Sequence, residues 1–494
     1  MKRRDFIKYS TLLGVISLFD AANTGCTELT PNLKPANFKI PDGSGLLLKN
    51  LNIIDVKEGK VIYPAHILIR GKRIEEIAYG NECPTCEIVL DLNGRYAMPG
   101  IINAHCHLTL PGAFGLRLKF LTSLRRQIER NAEECLRHGV TTVRDMLGFP
   151  SALDKLQREI SDGKLLGPRI LRNTAVQVDS GYGEALSMIG GKRMITGVNS
   201  PEEARKAVKF ACHNNVDFIK TFLQYNQLWL PGKPLPVLDD DTLRAIVDEA
   251  EKHERPVALH HTSVEGFRRA LKAGVPSLEH MAIDNILSEE DVELLLKSNA
   301  GIIPTASVAW ALAFKRTGDP LSESKEVQEL IEDRKERISA HLDEFAEPAV
   351  KEVALQYLKK FSDPEYFDES HLMLTPEPKF FNSAAVIGNR NLMQLVEAKA
   401  LIGCGNDGGI PFVFPGSMTL EMGILQRLGI KPAEILKMAT INNARILRMA
   451  DRLGSIERNK IADIVILSDN PLVDITNTAK IEKVFFEGQL KYSV

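Results

Sequence analysis

Neither sign of charge is in excess in this chain: 62 Lys and Arg stand against 64 Asp and Glu, a formal net charge of −2. With no basic field to hold phosphates, a nucleic-acid partner is excluded and a small molecule is expected. Long apolar runs are missing too, since the stretch Leu12 to Phe19 is too short for a membrane span. No repeat of about 20 to 50 residues recurs, which argues against solenoids and propellers. A hydrophobic content of 44% with 26% charged residues excludes disorder and collagen-like structure. The seven cysteines include one Cys-x-x-Cys, Cys83 to Cys86, and no second pair to complete a zinc site. A local disulfide is expected there, and Cys106, Cys135, Cys212 and Cys404 read as buried thiols.

The N-terminus carries Arg3-Arg4-Asp5-Phe6-Ile7-Lys8 before its short apolar stretch, a pattern that looks like a twin-arginine export signal over residues 1–26. The protein is therefore expected outside the cytoplasm, periplasmic or at the outer surface. Cys26 follows Thr24-Gly25, and whether it carries a lipid stays open, because Asn23 stands where lipoproteins usually have Leu.

From Leu46 to Met98, short runs such as Val61 to Tyr63 and His66 to Arg70 are divided by turns such as Gly71-Lys72, and predict a small sheet. The texture returns at Ile461 to Leu467 and Ile481 to Phe486, so residues 27–97 and 451–494 are expected to form one small β-sandwich domain from both chain ends. Between them strands alternate with helices: Thr141 to Arg144, Asp217 to Phe222, Val257 to His261, Ser277 to His280, Gly301 to Thr305 and Leu401 to Asp407. This is an α/β pattern, and residues 98–450 are long enough for a TIM (β/α)8 barrel, which usually takes about 250 residues. The surplus lies near 315–380, where Val327, Leu330, Ile331, Ile338, Leu342 and Phe345 recur at helical spacing. It reads equally as a lid over the barrel mouth or as a helical layer outside it.

His105-Cys106-His107 closes a strand that starts near Met98, and residues i and i+2 share a face, so both imidazoles can reach one ion. A lone His-x-His occurs by chance in many proteins. Here other strand ends contribute as well: Lys220, His260, His280 and Asp407. His261 faces away from His260, and His260 lies at the offset from His280 that adjacent strands would give. Lys220 as an ammonium is a poor ligand; it either pairs with an acidic group or becomes a carbamate that bridges two cations. His66, His138, His213, His253, His341 and His371 read as surface or packing residues. Gly403 to Gly408 matches Gly-x-Gly-x-x-Gly, yet Pro411 and Pro415 follow, so no helix opens there to hold a pyrophosphate.

Together these residues resemble the amidohydrolase superfamily, in particular its prolidase-like and imidazolonepropionase-related members, over nearly all of residues 45–494. The matching motifs are Met98-Pro99-Gly100 before His105 and His107, Gly139 to Asp145, Lys220, His260, Glu279-His280, Asn406-Asp407, Asn443-Ala444-Arg445 and Leu453 to Ile456 with Ala462-Asp463. Asn103 stands where Asp is usual, Asn406 where Thr is usual and Asn459 where Gly is usual. Ser180 to Gly183 lacks the Gly-Gly-His of close prolidase-like relatives. The resemblance implies two divalent metal ions, zinc by ligand type although manganese or iron also suit. His105 and His107 would hold the first with Asp407, His260 and His280 the second, and carboxylated Lys220 would bridge. Coordination lowers the pKa of water to about 7 and the second ion polarises a carbonyl. Asp407 would take the proton and return it to the leaving amine.

The expected activity is hydrolysis of an amide such as an Xaa-Pro dipeptide or an N-acyl amino acid. Lactone or phosphotriester hydrolysis uses the same metals. Deaminases of the superfamily place Glu three residues after the His of the fifth strand, where this chain has Ser263. A binding protein on an inactive barrel would have lost ligands, and none is lost. Tyr225 is either a donor to a substrate carbonyl or a packing residue on the rim. Whether the chain forms a homo-oligomer stays open.

Overall fold

The computed structural model describes residues 44–113, 118–182, 194–225, 234–362 and 378–494. The export signal, Cys26 and His371 lie outside them. Four strands open the described chain: β1 (Gly45–Asp55), β2 (Lys60–Arg70), β3 (Arg73–Tyr79) and β4 (Ile88–Pro99). After Gly100 come β5 (Ile101–Cys106), β6 (Val140–Asp145), β7 (Arg169–Leu171), β8 (Asn173–Val178), β9 (Ile195–Val198), β10 (Phe218–Leu223), β11 (Val257–His261), β12 (Ser277–Glu279) and β13 (Gly301–Ile303). The chain ends in β14 (Ile464–Leu467), β15 (Ile481–Phe486) and β16 (Gln489–Ser493).

The two chain ends do pair, as one seven-stranded sheet in the order β16-β15-β14-β4-β1-β2-β3. Where a sandwich was expected, the described residues form this single mixed sheet, with β1 parallel to β4 and the other neighbours antiparallel. Alternation along its strands decides what each face covers. Ile464 and Ile466 join Leu46, Leu48, Ile67 and Phe485 in a core of the sheet's own, whereas Val465 and Leu467 point into the main core with Met98 and Val140.

The central strands are parallel, in a six-stranded sheet β13-β12-β11-β10-β8-β9 and a three-stranded sheet β5-β6-β7. Helices Pro150–Ser161, Asp240–Lys252, Val264–Lys272, Glu289–Ser298 and Ser307–Leu312 follow β6, β10, β11, β12 and β13 as expected. Strands β5, β6, β10 and β11 are buried along their whole length, the mark of parallel strands covered on both faces. Among the described residues no helix is long and apolar enough to cross a membrane.

Leu401 to Asp407, expected as a strand, instead makes isolated bridges, Ile402 to Ile302 and Gly408 to Cys106. It is threaded between β13 and β5: Ile302 N donates to Leu401 O at 3.0 Å, and Ala104 N to Cys404 O at 3.1 Å. The fit leaves no room for side chains at the glycines. A Cβ on Gly405 would stand 2.6 Å from His105 N, and one on Gly403 2.2 Å from Asn443 Oδ1. Close packing, not phosphate binding, accounts for the glycine pattern, and no helix starts before Met418.

The helical surplus comprises Lys325–Phe345 and Pro348–Phe361. Trp310 Nε1 donates to Asp333 at 2.7 Å, Gln127 Nε2 to Phe345 O at 2.9 Å, and His341 Nε2 to Phe412 O at 3.0 Å. These bonds fix the first of the two long helices, and the second packs against helix Leu118–Arg137. The segment after them, from Phe380 to Leu392, lines the site cavity. Two cysteine expectations fail. Cys83 and Cys86 are both free thiols, Cys86 Sγ being packed over Gly45, 2.7 Å from where a Cβ there would lie. Cys212 is half-buried, at the outer end of helix Pro201–His213.

The chain passes from the end sheet into the central strands at Gly100, where a Cβ would lie 2.1 Å from Thr141 Oγ1. Gly100→Ala should therefore lower stability by about 1–3 kcal/mol, read as a fall in the denaturant midpoint; an unchanged midpoint would mean that this crossing is loosely packed.

Candidate metal centre

His105 is the fifth residue of β5 and His107 stands just beyond its end, so the two imidazoles share a face, with ring centroids 5.7 Å apart. The threaded segment brings Asp407 to them: its Oδ1 lies 3.0 Å from His107 Nε2 and 3.4 Å from His105 Nε2. No N–H is directed along either line, and Asp407 Oδ1 is buried without a hydrogen-bond partner. His280, just past β12, has its ring 4.7 Å from that of His105 and 4.5 Å from that of His260 at the end of β11. One donor atom each from His105, His280 and Asp407 fall within 4.8 Å of one another. Two ring nitrogens and a carboxylate oxygen aimed at one point repel unless a cation lies between them, so this donor set fits a divalent ion.

Lys220, in β10, is buried and its Nζ has no hydrogen-bond partner. Burial lowers its pKa to about 8, and Arg144 adds to the fall against the pull of Glu279 and Asp407. Burial, followed by the neighbouring basic groups, holds His260 and His280 well below the usual imidazole range, so both are neutral with lone pairs available. Burial by itself would raise Asp407, but His105 and His107 outweigh it and keep the carboxylate ionised. Of the six residues expected at the site, the five other than Lys220 are joined by these distances, with His107 and His280 half-buried, and Lys220 lies near enough to act on them electrostatically.

Residues that the sequence reading gave no role aim these groups. His105 donates from Nδ1 to Glu279 Oε2 at 2.8 Å, which turns Nε2 toward Asp407. Glu279 Oε1 accepts from Arg144 Nη2 at 2.6 Å and Ser277 Oγ at 2.7 Å. His280 Nδ1 hydrogen-bonds Thr305 Oγ1 at 2.7 Å. His260 differs: its Nε2 donates to Gln224 Oε1 at 3.1 Å, and Tyr182 stacks on its ring at 5.0 Å. Binding an ion through that nitrogen exchanges the Gln224 contact for coordination. His280, Thr305 and Asp407 all have positive φ, 71°, 52° and 52°, a conformation that costs non-glycine residues energy and clusters at functional sites. Glu279 and Arg144 stood in quoted motifs, but Thr305, Gln224 and Tyr182 carry no spacing signal that would have marked them.

Several other residues have structural duties. The Asn103 amide donates to Asn406 Oδ1 at 2.8 Å, and Asn406 in turn donates to Phe414 O, so the two asparagines pin the turn that presents Asp407. Asp145 accepts from Leu108 N at 2.7 Å and fixes the chain leaving His107. Tyr225 accepts from Arg269 at 2.9 Å, which supports its packing role. Ser263 caps helix Val264–Lys272 through Gly266 N. His66, His138, His213, His253 and His341 lie outside the cluster.

A model of the amidohydrolase family matches residues 96–491. The chain is 24% identical to the ochratoxinase of Aspergillus niger over 416 residues, 76% of this chain and 71% of that one. It is 24% identical to the imidazolonepropionase of Brevibacillus brevis over 444 residues, 85% and 86% of the two chains. Among solved structures, a Xaa-Pro dipeptidase with methionine bound in its active site superposes with a TM-score of 0.68 at 22% identity, covering 91% of this chain and all of that one. At that identity the likeness speaks for the fold, a TIM barrel.

The Arg144–Glu279 pair is fully buried, so Glu279→Gln leaves a guanidinium uncompensated and should cost about 3–5 kcal/mol at pH 7. Burial opposes ionisation of Glu279, but Arg144 and His105 hold its pKa below the ordinary value. Its contribution is therefore complete above the ordinary carboxylate pKa and fades as pH falls through the depressed one. The gap in unfolding free energy between the parent and Glu279→Gln should close on acidification; a gap independent of pH would contradict the pairing.

Proposed function

The chain belongs to the amidohydrolase family and is a hydrolase acting on carbon–nitrogen bonds, and on that premise we propose that it cleaves an amide in a small molecule, an Xaa-Pro dipeptide or an N-acyl amino acid, at a binuclear metal centre. The observation that carries this is Asp407 Oδ1 facing two imidazole nitrogens, at 3.0 and 3.4 Å, while itself buried. In this proposal residues 98–450 form the metal-binding barrel. Its eight staves are β5, β6, the continuous run of β7 and β8, β10, β11, β12, β13 and the threaded segment 401–408. The small domain comes from 27–97 and 451–494, and the signal in 1–26 directs the enzyme out of the cytoplasm.

His105, His107 and Asp407 hold one ion, His260 and His280 the other. Two such ions, zinc by ligand type, supply Lewis acidity and a water acidified to a pKa of about 7. Lys220, with its pKa lowered to about 8, has a neutral fraction at pH 7 that can attack carbon dioxide. The N–C bond would form with loss of a proton to solvent, and the carbamate would give Lys220 an anionic oxygen donor for a cation in place of an ammonium. Asp407 is kept as the carboxylate, so it can accept the proton released by water and pass it to the leaving nitrogen. Glu279 and Thr305 hold His105 and His280 at fixed rotation, so the donors are arranged before the ions arrive.

Metal analysis of the purified protein should find two divalent ions per chain, and a chelator should abolish hydrolysis in a screen of dipeptides and N-acyl amino acids. His107→Ala should remove turnover and leave the circular dichroism spectrum intact; retained activity would refute the assignment. Metal uptake by the stripped protein should require dissolved carbon dioxide, and Lys220→Ala should lose that requirement together with its second ion. Uptake of both ions by Lys220→Ala would rule out the carbamate bridge.

A further inference from the structure

A cavity opens from the metal centre, and the side chains in its lining that could face a metal ion, His260, His280 and Asp407, lie at one end. Away from them the described lining is Met281, Ile283, Leu312, Phe381, Ala384 and Leu392, with smaller neighbours. The polar side chains beyond the metal end are few, and three of them hold hydrogen bonds within the protein. Thr262 donates to Gln224 Oε1 at 2.7 Å, Thr305 bonds His280, and Asn389 donates to Ala385 O at 2.7 Å. A charged substrate group entering this slot would exchange water for a lining that is mostly apolar.

One wall has been shaped locally. The helix over Pro378–Glu397 widens to a π turn at Ala384–Gly388, a feature that occurs mostly at functional sites. The turn brings Gly388 against the opposite wall, where a Cβ would lie 3.3 Å from Ile283 Cγ2 and 3.6 Å from Met281 Cβ. A side chain at 388 would project into the slot.

We propose that this slot seats an apolar acyl group, aliphatic or aromatic, that runs away from the scissile carbonyl. The inference rests on the amide-hydrolase reading above and narrows it to N-acyl amino acids with a hydrophobic acyl half. A dipeptide is disfavoured, because its free α-ammonium would enter a slot whose lining is mostly apolar.

The test is calorimetric titration of the zinc-loaded protein with straight-chain hydroxamic acids, from acetohydroxamic to octanohydroxamic acid, which ligate metal through a constant head. Each added methylene should tighten binding about fourfold, the equivalent of about 0.8 kcal/mol of buried apolar surface. Ala384→Trp, which fills the slot, and Leu392→Asp, which places a charge in it, should each cut the octano- to acetohydroxamate affinity ratio at least tenfold, with zinc content and melting temperature measured alongside. A series that is flat, or that does not bind, overturns the proposal, as does a length dependence that survives in both folded variants. If affinity rises with length as expected but no N-acyl amino acid is hydrolysed, the slot stands and the amide-hydrolase reading falls.

Discussion

A fully buried ion pair between Arg144 and Glu279 is the constraint on which the site depends. Arg144 also donates to Ala104 O at 2.6 Å and to Ser277 Oγ at 3.1 Å, so one guanidinium ties β5, β6 and β12 together where their ends carry donors. The carboxylate it neutralises is the one that turns His105. Buried charges are expensive unless fully paired, and here every bond of the pair positions a strand or a ligand. Positive φ at His280, Thr305 and Asp407 is sustained by the same surroundings. The fold spends stability at the strand ends and recovers it in the apolar layers around them.

Two of the departures from the family pattern are joined to each other. Asn103 and Asn406 replace an Asp and a Thr, and their side chains bond each other across the gap between β5 and the threaded segment. An amide both donates and accepts, so the pair satisfies itself without adding charge beside Asp407. The glycines of that segment serve the same end, because only a chain without side chains passes so close to His105 N. The metal cluster survives because both changes fall on neighbours that carry no ligand atom.

Proteins similar to this chain carry names as different as ochratoxinase, imidazolonepropionase and Xaa-Pro dipeptidase, which agrees with chemistry held by strand ends and specificity held by what covers them. In this chain the cover begins after the two long helices, the first of which is held by hydrogen bonds to Trp310, Gln127 and Phe412. The π turn and the phenylalanine beside it convert the last part of that insertion into an apolar wall facing the charged centre. Charge at one end and apolar surface at the other give the cavity a direction, and a substrate with the same asymmetry fits only one way round.

Some of this was legible in the chain itself. Periodicity showed parallel strands between two matching ends, and the spacing of His105, His107, Lys220, His260, His280 and Asp407 at strand ends marked the cluster, because strand geometry dictates which residues share a face. The register of the threaded segment was not legible, since Gly403 and Gly405 read as part of a regular strand until the backbone beside them is known. The same holds for the insertion, whose helical periodicity says that one face is buried but not against what. Thr305, Gln224 and Tyr182 come from separate loops, and a free thiol and a disulfide look alike in Cys83 to Cys86. Local pattern determines which elements form and which faces they bury; only packing between distant segments decides what those faces meet, because that is set by contacts across hundreds of residues that no local spacing encodes.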